Sequence, residues 1–130
     1  MVRRCVDAVL ADRDDVTVIV VDNGGAVTAD ALPAGVRLLT TGSNLGYAGG
    51  MNTGIAAALE AGSDRIALLN DDTLVTAGWL DALETALDSD PTIGAAQPKL
   101  LLGDGTTTGS PLMQSLGVRV RRDGAGIDIG

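Results

Sequence analysis

Residues 16–25 read VTVIVVDNGG, and this stretch decides the fold class. Residues 16–21 form an almost unbroken β-branched run, which is typical of a strand buried on both faces. The run stops at Asp22-Asn23-Gly24-Gly25, a composition that favours a loop. A strand covered on both faces belongs to a parallel sheet between helices, so the stretch predicts an α/β protein.

Helices and strands alternate around this stretch. Apolar residues at helical spacing predict a helix over residues 1–11. Short apolar runs predict two further strands, at residues 36–39 and 66–69. A Gly-rich loop at residues 42–50 leads into a predicted helix over residues 51–61, for which Gly62 is the natural C-terminal stop. The alternation predicts an α/β fold with a mostly parallel sheet flanked by helices.

The later part of the chain predicts one more helix, capped by Thr76, and then shorter pieces. Extended segments are predicted at residues 93–97, 99–102 and 116–120. The Gly-rich tail at residues 121–130 is predicted to contain no further element.

Composition narrows the function classes. The net charge of −8 argues against a nucleic-acid partner and against general attraction to anionic lipid. Cys5 is the only cysteine, so no intrachain disulfide forms and a reducing compartment is expected. No apolar stretch approaches the length of a membrane span. Together these features predict a cytoplasmic domain, whose core must be aliphatic because aromatic residues make up only 2% of the chain.

Three loops are expected to meet at one edge of the sheet, because the carboxyl ends of parallel strands lie together. They are the loops at residues 22–25, 42–52 and 70–73. In the first, Asp22 and Asn23 offer hydrogen bonds to a nucleobase or a ribose. The alternative is a simple Asx turn.

The second loop combines small residues with a predicted helix start. Gly46, Gly49 and Gly50 allow a ligand to approach the backbone closely, and Met51 and Asn52 offer the free N–H groups of a helix N-terminus. The glycine spacing matches neither the dinucleotide fingerprint nor a phosphate-binding loop of the Walker type. Neither of those two nucleotide sites is therefore predicted.

Adjacent carboxylates follow the third predicted strand. Asn70, Asp71 and Asp72 come directly after residues 66–69. Two neighbouring carboxylates repel each other, and a divalent cation that also binds a diphosphate would relieve the repulsion. The alternative is that Asn70 forms an Asx turn and that an aspartate caps the next helix. The local pattern leaves both interpretations open.

Three segments together resemble the family 2 glycosyltransferases, in particular the bacterial rhamnosyltransferase-like branch. They are VVDNG at residues 20–24, NLGYAGGMNTGI at residues 44–55 and LLNDDT at residues 68–73. The resemblance implies a nucleotide-diphospho-sugar transferase fold of the A type. The family's first strand would precede Met1 and its acceptor half would follow Gly130. Residues 1–130 are therefore expected to form a single partial domain, the donor-binding half, incomplete at both ends.

The resemblance also implies a reaction, the metal-dependent and inverting transfer of a sugar from a nucleoside-diphosphate sugar. The acceptor would be a bacterial glycan or a lipid-linked molecule, and membrane association would be at most peripheral, through segments outside this chain. The implied donor-binding residues are Asp22, Asn23, Asn44, Gly46, Gly50, Asn52 and Asp71. Asp71 and Asp72 would hold Mg²⁺ or Mn²⁺ against the donor diphosphate. No residue of the chain matches the family's catalytic base.

Two other functions stay open. One is a catalytically inactive nucleotide-binding fragment or pseudoenzyme, which predicts binding without turnover. The other is a structural α/β interaction domain whose acidic and Gly-rich loops are only turns. It predicts that neither nucleotides nor metals change the stability of the protein, because stabilisation follows ligand occupancy.

Overall fold

The computed structural model describes residues 1–102 and three further strands, at residues 112–115, 118–120 and 126–128. The chain divides into two compact units, Met1–Val75 and Thr76–Gly130. The first unit contains all the residues of the candidate site. Within the described part of the chain, no helix has both the length and the apolar character needed to cross a bilayer.

The first unit is built on a parallel pair of strands flanked by helices. Its elements are α1 at Val2–Asp12, β1 at Ile19–Asp22, a 3₁₀ turn at Ala29–Ala31, β2 at Arg37–Thr40 and α2 at Gly46–Glu60. The strands run parallel, with Ile19 opposite Arg37 and Asp22 opposite Thr40. This arrangement confirms the predicted α/β class.

The core of the first unit is small and aliphatic, as the composition predicts. Its buried centre consists of Val6 from α1, Val20 from β1 and Leu32. Alternate residues of a strand face opposite sides of a sheet, so Val21 faces away from this cluster and lies beside Gly54 of α2. Buried and half-buried residues alternate along β1. The strand is therefore better covered on one face than on the other, and the prediction of full burial on both faces is wrong.

The start of α2 differs from the sequence prediction. The helix begins at Gly46 rather than at residue 51, so half of the predicted Gly-rich loop is helical. Glycine inside a helix is destabilising by roughly 0.5–1 kcal/mol relative to alanine, which is why the glycines predict a loop. Here close packing outweighs that preference. A Cβ atom on Gly50 would lie 3.1 Å from Asn23 Nδ2, and one on Gly54 would lie 3.0 Å from Val21 Cγ2.

The C-terminal end of α2 agrees with the prediction. Gly62 has a φ of 85°, a conformation that side chains rarely adopt. Its N–H donates to Leu59 O at 2.9 Å, and the N–H of Ser63 donates to Ala58 O at 3.0 Å. These two bonds form a Schellman motif, which satisfies carbonyl groups of the last helical turn.

Residues 66–69 do not form the predicted third strand. They have no regular secondary structure, and the described sheet of the first unit contains only β1 and β2. Ile66 is 36% exposed and Leu68 is 52% exposed. An apolar run becomes a strand only where a neighbouring strand accepts and donates its backbone hydrogen bonds. The described residues provide no such neighbour for this segment.

The second unit contains one described helix and two antiparallel strand pairs. The helix α3 spans Trp79–Asp88. The strand pairs are β3 at Leu100–Leu102 with β4 at Leu112–Ser115, and β5 at Val118–Val120 with β6 at Gly126–Asp128. The strand β3 confirms the segment predicted at residues 99–102, and β5 confirms part of the one at 116–120. Residues 93–97 form no strand, and β6 overturns the prediction of a tail without elements.

The N-terminal end of α3 is formed by backbone rather than by the side chain of Thr76. The cap position is Gly78, with a φ of 76°. The carbonyl of Thr76 accepts the N–H of Trp79 at 3.2 Å. A glycine in the left-handed conformation turns the chain into the helix here, so the predicted threonine cap is wrong.

Replacing Gly54 with alanine tests the close approach of α2 to β1. Helix propensity favours Gly54→Ala by about 1 kcal/mol, but overpacking against Val21 costs about 1–3 kcal/mol. We expect a lower free energy of unfolding in urea for the single variant. In a Val21→Ala background, where the overlapping methyl group is gone, Gly54→Ala is expected to be stabilising. Equal effects in the two backgrounds would contradict the contact.

Candidate functional site

The loops that follow β1 and β2 are joined by the side chain of Asn23. Its Nδ2 atom lies 2.8 Å from Gly46 O and 3.2 Å from Asn44 Oδ1. Its Oδ1 atom accepts the N–H of Leu45 at 2.9 Å. The predicted meeting of these two loops at the carboxyl edge of the sheet is therefore confirmed.

Asp22 organises the loop directly after β1, and its side chain is buried at 5% exposure. Its Oδ1 atom accepts the N–H groups of Gly24 at 3.2 Å, Gly25 at 2.9 Å and Ala26 at 3.2 Å. Its Oδ2 atom accepts the N–H of Val27 at 3.1 Å. The bond to Gly24 is the Asx turn that the sequence offered as the alternative. Contact between Asp22 and a nucleobase stays a prediction.

These hydrogen bonds lower the pKa of Asp22. The bond from Val27 contributes most, burial opposes it, and the N–H groups of Ala26, Gly24 and Gly25 add to the lowering. Backbone N–H groups favour the charged carboxylate, because it accepts several hydrogen bonds at once. The loop conformation therefore favours an ionised Asp22.

The first turn of α2 begins next to this loop. Asn44 Oδ1 accepts the N–H of Gly46 at 2.8 Å. The opening N–H groups of a helix lack partners inside the helix, and those of Tyr47 and Ala48 donate to no group in the described part of the chain. Tyr47 is 68% exposed. The free N–H groups therefore lie at residues 47 and 48, and the prediction that placed them at Met51 and Asn52 is wrong.

Asp71 and Asp72 lie in a tight turn of residues 70–73, closed by the N–H of Thr73 donating to Asn70 O at 3.1 Å. Both aspartates are exposed, and no hydrogen bond or ion pair engages their carboxylates within residues 1–102. Neither caps α3, whose cap position is Gly78. The turn is closed by the main-chain carbonyl of Asn70, so the proposed structural roles for these side chains are not observed.

Cys5 connects α1 with this acidic turn, a contact that the sequence does not reveal. The thiol is buried, and its Sγ lies 3.6 Å from Asn70 O. Burial, with the negative charges of Asp71 and Asp72, raises the pKa of Cys5. The group therefore stays a neutral thiol at pH 7 and donates weakly to the carbonyl. No local pattern relates residues so distant in the chain.

The possible metal ligands of the acidic turn fit only one kind of metal site. No group of three or more His, Cys, Asp and Glu side chains suited to a metal occurs among the described residues. Asp71 and Asp72 would supply two carboxylates, and Mg²⁺ is commonly held by one or two carboxylates with water and substrate phosphates. The pair therefore fits a cation that binds together with a diphosphate.

The predicted site residues thus fall into two groups. Hydrogen bonds and close packing join Asn23 with Asn44, Gly46 and Gly50. Asn52, which is exposed within α2, and the two aspartates of the acidic turn make no hydrogen bond to that group among the described residues. Thr41, whose hydroxyl lies 3.2 Å from Asn23 Oδ1, belongs to the first group but was not predicted.

Removing the charge of Asp22 is expected to destabilise the protein in a pH-dependent way. The pKa of Asp22 is lowered in the folded state and is about 3.9 in an unfolded chain. Its stabilising effect is therefore complete above the unfolded pKa and is lost as the pH falls through the folded pKa. Urea unfolding of the wild type and Asp22→Asn should differ fully at pH 7, and the difference should begin to shrink below about pH 4 and vanish only below the folded pKa.

The matched control for this experiment is Asp14→Asn, because Asp14 is an exposed aspartate outside the site. It should leave the free energy of unfolding almost unchanged across the same pH range. A constant difference between wild type and Asp22→Asn down to acid pH would show that the carboxylate charge does not hold the loop.

Comparison with known proteins gives one finding. The family model described as glycosyl transferase family 2 matches residues 1–123. No curated protein and no solved structure matches the chain. The family match spans all the site residues, and with the parallel strands and flanking helices it confirms the predicted nucleotide-sugar transferase fold. It does not support the rhamnosyltransferase-like branch, which stays a prediction. The chain belongs to glycosyl transferase family 2.

Proposed function

We propose that this chain binds the nucleoside-diphosphate-sugar donor of a metal-dependent, inverting glycosyltransferase. The observation that carries the proposal is the Asn23 network, which joins the ends of β1 and β2 to the first turn of α2. In a member of glycosyl transferase family 2, this edge of the sheet is the natural place for a nucleotide. The acceptor in this proposal is a bacterial glycan or a lipid-linked molecule.

The negative charge of the protein supports the proposal of a metal cation at the acidic turn. The chain carries a net charge of −8, and the exposed carboxylates of Asp71 and Asp72 would repel a diphosphate. Asp71 and Asp72 would hold a divalent ion, Mg²⁺ or Mn²⁺, which would remove this repulsion and supply charge neutralisation for the leaving diphosphate. The N–H groups of Tyr47 and Ala48 add a favourable environment for an anion at the start of α2.

The remaining residues shape the donor site. Asn44, Gly46, Gly50 and Asn52 line the donor pocket in this proposal. In this proposal Asp22 both holds the loop after β1 and contacts the nucleobase. Inverting transfer needs a base that takes the proton of the acceptor hydroxyl, and we assign that role to no residue of the chain.

We also propose the extent of the domain, the branch of the family and the location of the enzyme. Residues 1–130 form the donor-binding half of one glycosyltransferase domain. The enzyme belongs to the rhamnosyltransferase-like branch and takes part in building cell-wall or other polysaccharides. It works in the cytoplasm, with no nucleic-acid partner.

Nucleotide binding should depend on a divalent metal and on Asp72. A nucleoside diphosphate at a hundred times its Kd should stabilise the wild type by about 2.7 kcal/mol, with Mg²⁺ or Mn²⁺ present and not with a chelator. Asp72→Asn should lose the metal-dependent part. Its unliganded Tm should stay unchanged, because Asp72 is exposed. Thermal unfolding with uridine, guanosine and thymidine diphosphates measures both effects.

The matched control is Asp64→Asn, since Asp64 is another exposed aspartate of the first unit, and it should behave like the wild type. Equal stabilisation in chelator would overturn the metal role. No stabilisation by any of the three nucleotides would favour the structural interaction domain. Metal-dependent binding without transfer to glycan acceptors would favour the inactive nucleotide-binding protein.

A further inference from the structure

The amide of Asn23 has almost no hydrogen-bonding capacity left for a ligand. An asparagine amide offers two N–H donors and one oxygen acceptor. Both donors are used, towards Gly46 O at 2.8 Å and Asn44 Oδ1 at 3.2 Å. The oxygen accepts the N–H of Leu45 at 2.9 Å, and the Thr41 hydroxyl lies 3.2 Å from it. A nucleotide could reach this amide only by breaking bonds within the protein.

The partners of Asn23 belong to the loop after β2 and to the first turn of α2. Leu45 is the cap residue of α2, and Gly46 is its first residue. The Gly46 N–H donates in turn to Asn44 Oδ1. One side chain at the end of β1 therefore sets both the backbone path into the helix and the orientation of the Asn44 amide.

The packing around Asn23 leaves room for this side chain and little else. A Cβ atom on Gly50 would approach its Nδ2, Cγ and Cβ atoms to 3.1, 3.2 and 3.3 Å. Aspartate has the same shape, but its carboxylate has no donor for Gly46 O and would face the oxygen of Asn44. A short primary amide is the group that satisfies all of these partners.

We propose that Asn23 is a positioning residue that holds Asn44 and the first turn of α2 in the geometry the donor site requires. This inference rests on the proposed donor binding, because Asn44 and Gly46 are the residues it positions. Asn23 acts on the nucleotide through them and not by direct contact. Any nucleoside diphosphate that uses the start of α2 is therefore expected to depend on it.

Asn23→Ala tests the proposal through two readouts on the same protein. Amide hydrogen exchange measured by NMR without ligand should become about tenfold faster at Leu45, the rate change expected for one lost hydrogen bond. Exchange at Arg37, whose N–H donates to the carbonyl of Val18, the residue before β1, should stay slow. Calorimetric titration with a nucleoside diphosphate and Mg²⁺ should show an affinity weaker by about tenfold or more.

The control is Gln97→Ala, which removes an exposed amide in the second unit and should change neither readout. Unchanged exchange at Leu45 would overturn the positioning role. If binding were weakened all the same, Asn23 would contact the nucleotide directly. Faster exchange with unchanged affinity would also overturn the positioning role. If the wild type binds no nucleotide, the proposed function fails, while the exchange result still decides whether Asn23 holds the helix start. If Asn23→Ala unfolds, Asn23→Ser, whose shorter side chain cannot bond Leu45, Gly46 and Asn44 together, replaces it in both measurements, with the same expected results.

Discussion

Backbone N–H groups after β1 converge on the carboxylate of Asp22, and the next side chain, Asn23, captures the start of α2. Asp22 and Asn23 form hydrogen bonds with different parts of the chain. Asp22 accepts from its own loop and stabilises the turn that follows β1, whereas Asn23 both donates and accepts across to the loop after β2. The candidate donor site exists only because the chain leaves β1 in this way. Polar groups within the small core of this unit are tolerated because their hydrogen bonds are satisfied.

The second constraint is the distance between α2 and β1. Glycines at positions 50 and 54 cost helix propensity, yet they bring the helix close enough for Asn23 to reach Gly46. A larger residue at either position would move the helix away and lengthen those bonds. The low helix propensity of glycine opposes a helix at these positions, whereas tertiary packing favours it. Packing has the larger effect, because several hydrogen bonds and van der Waals contacts depend on the short distance between α2 and β1.

The acidic turn has a different physical character. Asp71 and Asp72 are exposed, and their carboxylates have no partner within the described residues, while the backbone of the turn is tied to α1 through Cys5. Two neighbouring carboxylates repel each other, and the proposed cation would relieve this repulsion. Asn70 contributes its carbonyl to this support rather than its side chain. This separates the turn from the neutral amide network around Asn23, in which hydrogen-bond geometry matters more than charge.

The sequence by itself determined the elements whose signals are local. Periodic apolar residues located α1, a β-branched run located β1 and a short apolar run located β2 to within a few residues, and Gly62 marked the end of α2. The three quoted segments also indicated the family, which the match over residues 1–123 then established.

Tertiary structure alone decided the rest. It moved the start of α2 to Gly46, left residues 66–69 without a strand partner, and turned Asn23 towards the loop after β2. Each of these outcomes depends on groups distant in sequence or on the space between two elements. A pattern of neighbouring residues records helical and strand preference, but it does not record which side chain will find a hydrogen-bonding partner across a loop.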